Sequence, residues 1–452
     1  MNRTIELPAT PPLRADGQPQ LVRAVGRWQL VGLSINDVVG SGIYLLPAGT
    51  IVLLGNASLW AVLLAGLAVA LLVACYAQAS SYFDQPGGSY LYVREAFGRF
   101  AGFEIGWMTW LTRVASAAAL SNALALAVAH FWPAAASGWG HAAIVAGSLL
   151  LLTWVNVVGV RSGARTGVAL VIAKLVPLVF FVVVGAFFAD WSRALAFGAP
   201  PEGELGRLGE GALLLLFAYA GFENIPAAAG EYRNPRRDLP FALITMIVVV
   251  TLLYVSVQAI AQGTFPALVT EQTQLAEAAQ GFAGLGAALL LTVGAAVSIL
   301  GTNSNTMLLG PRYLYALATD GYGPRPLARI HPRYHTPAVA IVVQGALALA
   351  LAFTGSFVQL ALLSVVARLC TYIGTTSALL VLQRRFAGRT DVVRLPGGPL
   401  IPLAALLLSI ALIASASWAN LVAAAAALLV GALVFSYYDR AGTRGGAAAA
   451  NG

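Results

Sequence analysis

Apolar positions along the chain gather into long runs, separated by short polar stretches rich in arginine, glycine and proline. The runs cover approximately 30–54, 58–82, 100–132, 142–160, 165–189 and 209–230, then 240–264, 282–318, 336–353, 357–383 and 399–438. A helix needs about 20 such residues to cross a bilayer. The last run is far longer and is interrupted at 415–420, so it reads as two helices and the chain as twelve transmembrane helices.

Two runs carry interruptions of their own. The first contains Asn36-Asp37-Val38-Val39-Gly40-Ser41-Gly42-Ile43-Tyr44. A membrane-crossing helix must satisfy its own N–H and C=O groups, because hydrocarbon offers no partner. Two glycines around a serine, just after an aspartate, continue such a helix poorly. They suit either a small-residue contact face or a deliberate break. A break leaves the downstream half-helix with free N–H groups and a positive dipole end, ready for an anion such as a carboxylate. The sixth run has a similar stretch, Phe217-Ala218-Tyr219-Ala220-Gly221-Phe222-Glu223-Asn224, followed by Pro226.

Charge fixes the orientation. With the N-terminus inside, 21 of the 26 basic residues fall in inside segments, and only Arg193 and Arg207 fall outside. Arg113, Lys174 and Arg368 lie within spans. That asymmetry obeys the positive-inside rule, and it explains the net charge of +8 without a nucleic-acid partner. Composition agrees: 59% of residues are hydrophobic and 10% charged, against about 25% charged in soluble proteins. Mean hydropathy is +0.80. Cys75 and Cys370 both sit in apolar runs, so no disulfide framework is expected. The polar N-terminal segment shows no removable signal peptide.

Helices 1 and 6 then cross the membrane in opposite senses, each opening a block of five spans. That is the pattern of an inverted five-plus-five repeat, whose broken helices hold small solutes near the midplane. Helices 11 and 12 fall outside it.

Three further stretches lie at the inner interface: Pro86-Gly87-Gly88-Ser89-Tyr90-Leu91-Tyr92, Glu231-Tyr232-Arg233-Asn234-Pro235-Arg236-Arg237-Asp238-Leu239-Pro240, and Pro311-Arg312-Tyr313-Leu314-Tyr315-Ala316 with Asp320-Gly321. Singly, each reads as a loop plus a topology signal. Together with Gly40-Ser41-Gly42-Ile43, they resemble the amino acid–polyamine–organocation superfamily of permeases over roughly residues 25–390. The resemblance implies a leucine-transporter-type fold with substrate between the breaks of helices 1 and 6. It implies that the Ser41 hydroxyl and Gly42 N–H meet an α-carboxylate. The carbonyls of Val38, Phe217 and Ala220 would take the α-ammonium, and the Phe217 ring would lie over the substrate. Glu223 matches a position assigned to gating or proton sensing, the alternative being a structural hydrogen bond past the break.

Lys174 is the chain's only lysine, set mid-helix 5 far from either interface. A buried lysine, unlike an arginine, can release its proton, and a titratable group inside a membrane is a functional candidate. Sodium-independent, proton-coupled members of the resembled superfamily carry a lysine there, in place of a sodium ion. Asp37 departs from the superfamily's usual small or amide residue. It is read as a partner of Lys174, a site for a cationic substrate's amine, or a protonated acid. Arg113 and Arg368 read as partners of intramembrane acids such as Glu104, or as cavity-lining groups. No metal-ligand spacing, nucleotide-binding loop or catalytic constellation is present, so neither a cofactor nor an enzymatic activity is expected.

The expected organisation is a cytoplasmic segment at 1–28, a transmembrane permease domain at 29–438 and a cytoplasmic tail at 439–452. Within the domain, the repeats cover about 29–190 and 208–384, with helices 11 and 12 at about 399–438. The expected function is proton-coupled uptake of an α-amino acid through the inner membrane by alternating access. The alternatives are a sodium-independent amino acid or polyamine exchanger and, less favoured for want of a signalling domain, a nutrient sensor. Substrate identity and oligomeric state stay open at this level.

Overall fold

The computed structural model describes residues 25–85, 87–159, 164–196, 198, 205–265 and 274–450. The expected N-terminal segment up to residue 24, Pro86, Arg161 and the last two tail residues lie outside the described residues. The fold is all-helical, with one isolated bridge between Val25 and Tyr232 and no strand among the described residues.

In chain order the helices are α1 (Arg27–Val38), α2 (Gly42–Leu54), α3 (Ser58–Tyr82), α4 (Gly88–Phe97), α5 (Arg99–Val128), α6 (Gly138–Val158), α7 (Ala164–Gly185), α8 (Trp191–Ala194) and α9 (Leu205–Ala218). A 3₁₀ segment, Phe222–Glu231, leads into α10 (Pro235–Thr264). Then follow α11 (Leu275–Thr319), α12 (Ala338–Ala352), α13 (Phe357–Arg385), α14 (Leu400–Ala414) and α15 (Trp418–Ala450). Among the described residues, seven helical stretches are long and apolar enough to cross a membrane, and four shorter apolar ones are Val171–Gly185, Gly209–Ala218, Ala338–Ala352 and Leu400–Ala414. This is the architecture of a multi-pass membrane protein.

The stretch from Gly87, read from sequence as a loop, is instead the short helix α4. Glycines in the left-handed region stand at each end: Gly87 (φ 140°) and Gly88 (φ 52°) at its start, Gly98 (φ 90°) at its close. Another left-handed glycine, Gly284 (φ 76°), kinks α11 near its start. The long last run divides at residues 415–417 into α14 and α15.

Burial grades the helices. The apolar window of α5 is 83% buried, that of α15 only 11%. Helix α5 packs against α11 and α13. The small residues Ala115, Ala117, Ala118, Ala119 and Ala123 are all buried along it. Small residues permit close helix approach in a membrane, where dispersion contacts replace the missing hydrophobic drive. Helix α15 packs on this core from outside, with the Trp107 indole donating to the Ala427 carbonyl at 2.9 Å.

Candidate functional site

Helix α1 ends at Val38 and α2 begins at Gly42, so Val39, Gly40 and Ser41 are non-helical in the middle of an apolar run. Helix α9 ends at Ala218, and Tyr219, Ala220 and Gly221 precede the 3₁₀ segment. The two gaps pack against each other, and glycine makes this possible. A Cβ on Gly42 would lie 2.6 Å from the Ala218 Cα. Gly221 has φ 133°, and a Cβ there would lie 2.5 Å from the Asp37 carbonyl oxygen. Any other residue at either position forces the gaps apart.

Between the gaps lies a narrow cavity of about 30 Å³. Its lining includes Val38, Ser41, Gly42, Phe217 and Ala220, the five residues expected to bind substrate, together with Asp37. Ser41 is 1% exposed, and its hydroxyl has no hydrogen-bond partner. The Phe217 ring meets Phe357 edge-on, 5.8 Å between centroids. The Val38 carbonyl accepts from the Tyr254 hydroxyl at 3.3 Å, and the Phe217 carbonyl from the Ala220 N–H at 3.2 Å.

Lys174 stands behind the first gap instead of lining the cavity. It is fully buried. Its ammonium donates to the Asn36 carbonyl at 2.9 Å, the Val39 carbonyl at 3.2 Å and the Thr302 hydroxyl at 3.0 Å. Three donors thus meet three acceptors, and two of those are carbonyls that the end of α1 leaves without helical partners. Ser298 of α11 also donates to the Val39 and Gly40 carbonyls, at 3.1 and 3.2 Å. The Tyr44 hydroxyl donates to the Lys174 carbonyl at 2.7 Å, tying α7 to α2.

Asp37 makes no ion pair with Lys174 among the described residues. One carboxylate oxygen accepts from the Asn224 amide at 2.6 Å, and the other accepts from Asn305. Asp37→Asn therefore lowers the melting temperature and weakens all substrates to a similar degree. An asparagine presents one carbonyl to two amide donors, leaving one buried donor unmet at a cost of about 1–3 kcal/mol. Thermal unfolding, with competition binding by arginine, putrescine and alanine, measures both effects. A loss confined to the two cations would assign Asp37 to their ammonium groups instead.

Glu223 turns away from the gap toward α5 and α13. It lies 2.9 Å from Arg368 Nε and 3.8 Å from Arg113 Nη2. It also accepts from the Gly221 N–H at 2.9 Å and the Tyr372 hydroxyl at 3.2 Å. Glu104 is therefore not the partner of either arginine. It sits on the α15 side of α5, beside Trp107, where a Cβ on Gly431 would come within 2.8 Å of its carboxylate. Of the residues that hold this site together, Ser298, Thr302, Asn305 and Tyr372 were not among the sequence candidates. Thr302-Asn303-Ser304-Asn305-Thr306, five consecutive polar residues inside an apolar run, was the legible signal.

A family model for amino acid permeases matches residues 25–436. The branched-chain amino acid permease BcaP of Bacillus subtilis is 27% identical, over 94% of each chain. The serine/threonine exchanger SteT of the same organism is 28% identical, over 85% of this chain and 89% of its own. An uncharacterised transporter of Mycobacterium bovis is 32% identical over 74% of each chain.

Proposed function

The chain belongs to the amino acid permease family of the amino acid–polyamine–organocation superfamily, and from that premise we propose that it takes up an α-amino acid together with a proton, by alternating access. The carrying observation is the Ser41 hydroxyl, buried without a partner at the start of α2 and opening on the cavity. Beside it is the N-terminal end of a helix, where backbone N–H groups and the macrodipole favour a carboxylate. The non-helical carbonyls on the other side of each gap suit an ammonium. A zwitterion fits both ends at once.

In this reading the gaps in the first and sixth runs are equivalent elements of a five-plus-five inverted repeat, covering about 29–190 and 208–384. Twelve spans place both termini in the cytoplasm, with the chain in the inner membrane. The positive-inside asymmetry supports this orientation. Phe217, at the cavity wall against Phe357, closes over the substrate. Proton coupling resides in Lys174, whose ammonium holds the end of α1 to α11 as a bound cation would.

Uptake of labelled amino acids into proteoliposomes, with and without a pH gradient, tests the reading. Accumulation that needs only an internal amino acid, and ignores the gradient, would make the protein an exchanger. Ser41→Ala is expected to weaken amino acid binding about tenfold, the loss of one hydrogen bond to a charged group. It should leave the melting temperature of the free protein unchanged, since the hydroxyl has no partner to lose. Wild-type affinity in that variant would remove the carboxylate from Ser41.

A further inference from the structure

We infer that the substrate's side chain carries a carboxylate, held by Arg113 of α5 with Arg368 of α13 beside it. The inference rests on the reading above that an α-amino acid occupies the cavity. Both arginines line that cavity, and both are buried, 3% and 4% exposed. A buried charge persists where it is paired and hydrogen-bonded. Among the described residues, the only carboxylate within ion-pair distance of either is Glu223. It sits close to Arg368 and stands off from Arg113, at 2.9 against 3.8 Å. Arg368 also reaches the Ser116 hydroxyl at 3.3 Å. Arg113 Nε and Nη2, and Arg368 Nε and Nη1, have no hydrogen-bond acceptor. One carboxylate thus serves two guanidiniums, both are left with unmet donors, and Arg113 is the farther from it.

The other acid of the site makes no ion pair with either arginine among the described residues. Both oxygens of Asp37 are taken by the amides of Asn224 and Asn305. Counted as ionised groups, Arg113, Arg368 and Lys174 face Asp37 and Glu223 around the cavity, a local excess of one positive charge, since Glu104, also buried, faces α15 away from it. An amino acid with a neutral side chain is itself net neutral and leaves that excess in place. A second carboxylate supplies the missing charge, in a form whose two oxygens match the guanidinium fork. Arginine or a polyamine would add a further cation to a site already in excess, and like charge at close quarters excludes a ligand. The geometry therefore divides the work: Ser41 and Gly42 take the α-carboxylate, the gap carbonyls the ammonium, and Arg113 the second carboxylate. The preferred class is a dicarboxylic amino acid.

Competition binding on the full-length protein in detergent, with L-glutamate, L-glutamine, L-leucine and L-arginine, tests this, paired with proteoliposome uptake. Glutamate and glutamine share a shape and differ in charge. Glutamate should bind at least about 30-fold more tightly than glutamine, the scale of one desolvated charge pair. Arg113→Gln should remove that difference while glutamine binding holds. Ser116→Asp, which places a carboxylate beside Arg368, should also cut the preference for glutamate. Equal loss of every ligand in Arg113→Gln would make Arg113 the α-carboxylate site or a structural group, and overturn the inference. So would a wild type that binds leucine or glutamine as well as glutamate; amino acid transport would then stand. The wild-type ranking alone decides the matter if the variants fail to fold. Binding of no amino acid at all would sink both readings together.

Discussion

Glu223→Gln is expected to lose most of the protein's thermal stability margin and all transport. Glu223 is the one counter-charge within reach of Arg113 and Arg368 among the described residues. Its carboxylate also receives the Gly221 N–H and the Tyr372 hydroxyl, so it joins the second gap to α5 and α13. Glutamine keeps an accepting oxygen but removes the charge, stranding two guanidiniums in a low-dielectric interior. Breaking a buried ion pair from one side costs about 3–5 kcal/mol, a large fraction of the about 5–15 kcal/mol that holds a typical protein folded. Thermal unfolding of the purified variant, beside Glu223→Asp as a charge-preserving control, measures the loss. A glutamine variant that keeps its melting temperature but loses the pH dependence of transport would make Glu223 a proton-sensing gate instead.

The unusual stretch in the first run was conspicuous because its cause is local. Gly40, Ser41 and Gly42 break the pattern of an apolar run within three residues, and the reason for Gly42 is its contact with one backbone atom of α9. Lys174 was legible through uniqueness, as the one lysine among 26 basic residues. The pairings were not legible. Glu223 meets Arg113 across 110 residues and Arg368 across 145. Finding them requires knowing which faces of α5 and α13 turn together. Neither helix is strongly amphipathic, since core-facing and lipid-facing positions are both apolar, so periodicity does not orient them. The same limitation made Glu104 look like a partner for the arginines. It lies on α5, as Arg113 does, but it faces α15. The amide partners of Asp37 were hidden for a related reason. They come from the 3₁₀ segment and from α11, and with them in place Asp37 is a joint between elements that makes no ion pair with Lys174 among the described residues.

Lys174→Arg should abolish accumulation driven by a pH gradient, although it preserves the charge. The ammonium fills a small space with three donors aimed at the carbonyls of Asn36 and Val39 and the hydroxyl of Thr302. In the neutral amine, two donors and a lone pair replace the three donors, and one acceptor at the end of α1 goes unmet unless Thr302 reverses its hydroxyl. On the proposed reading, each protonation state would favour a different hold of α1 on α11, and the proton's free energy would enter the access equilibrium through that difference. Arginine cannot release its proton in a protein, and its larger planar head overfills a site with no exposed surface. A gradient of about two pH units is worth about 2.7 kcal/mol per proton, enough for about a hundredfold accumulation in an electroneutral cycle. That whole factor should vanish in Lys174→Arg. It should vanish in Lys174→Ala too, where the cation is missing but the cavity residues remain, so slow exchange of internal for external substrate is expected to survive. Proteoliposome uptake with an acidic exterior, and with sodium present or replaced by choline, reads both outcomes. Gradient-driven accumulation by either variant, or a strict sodium requirement in the wild type, would take proton coupling away from Lys174.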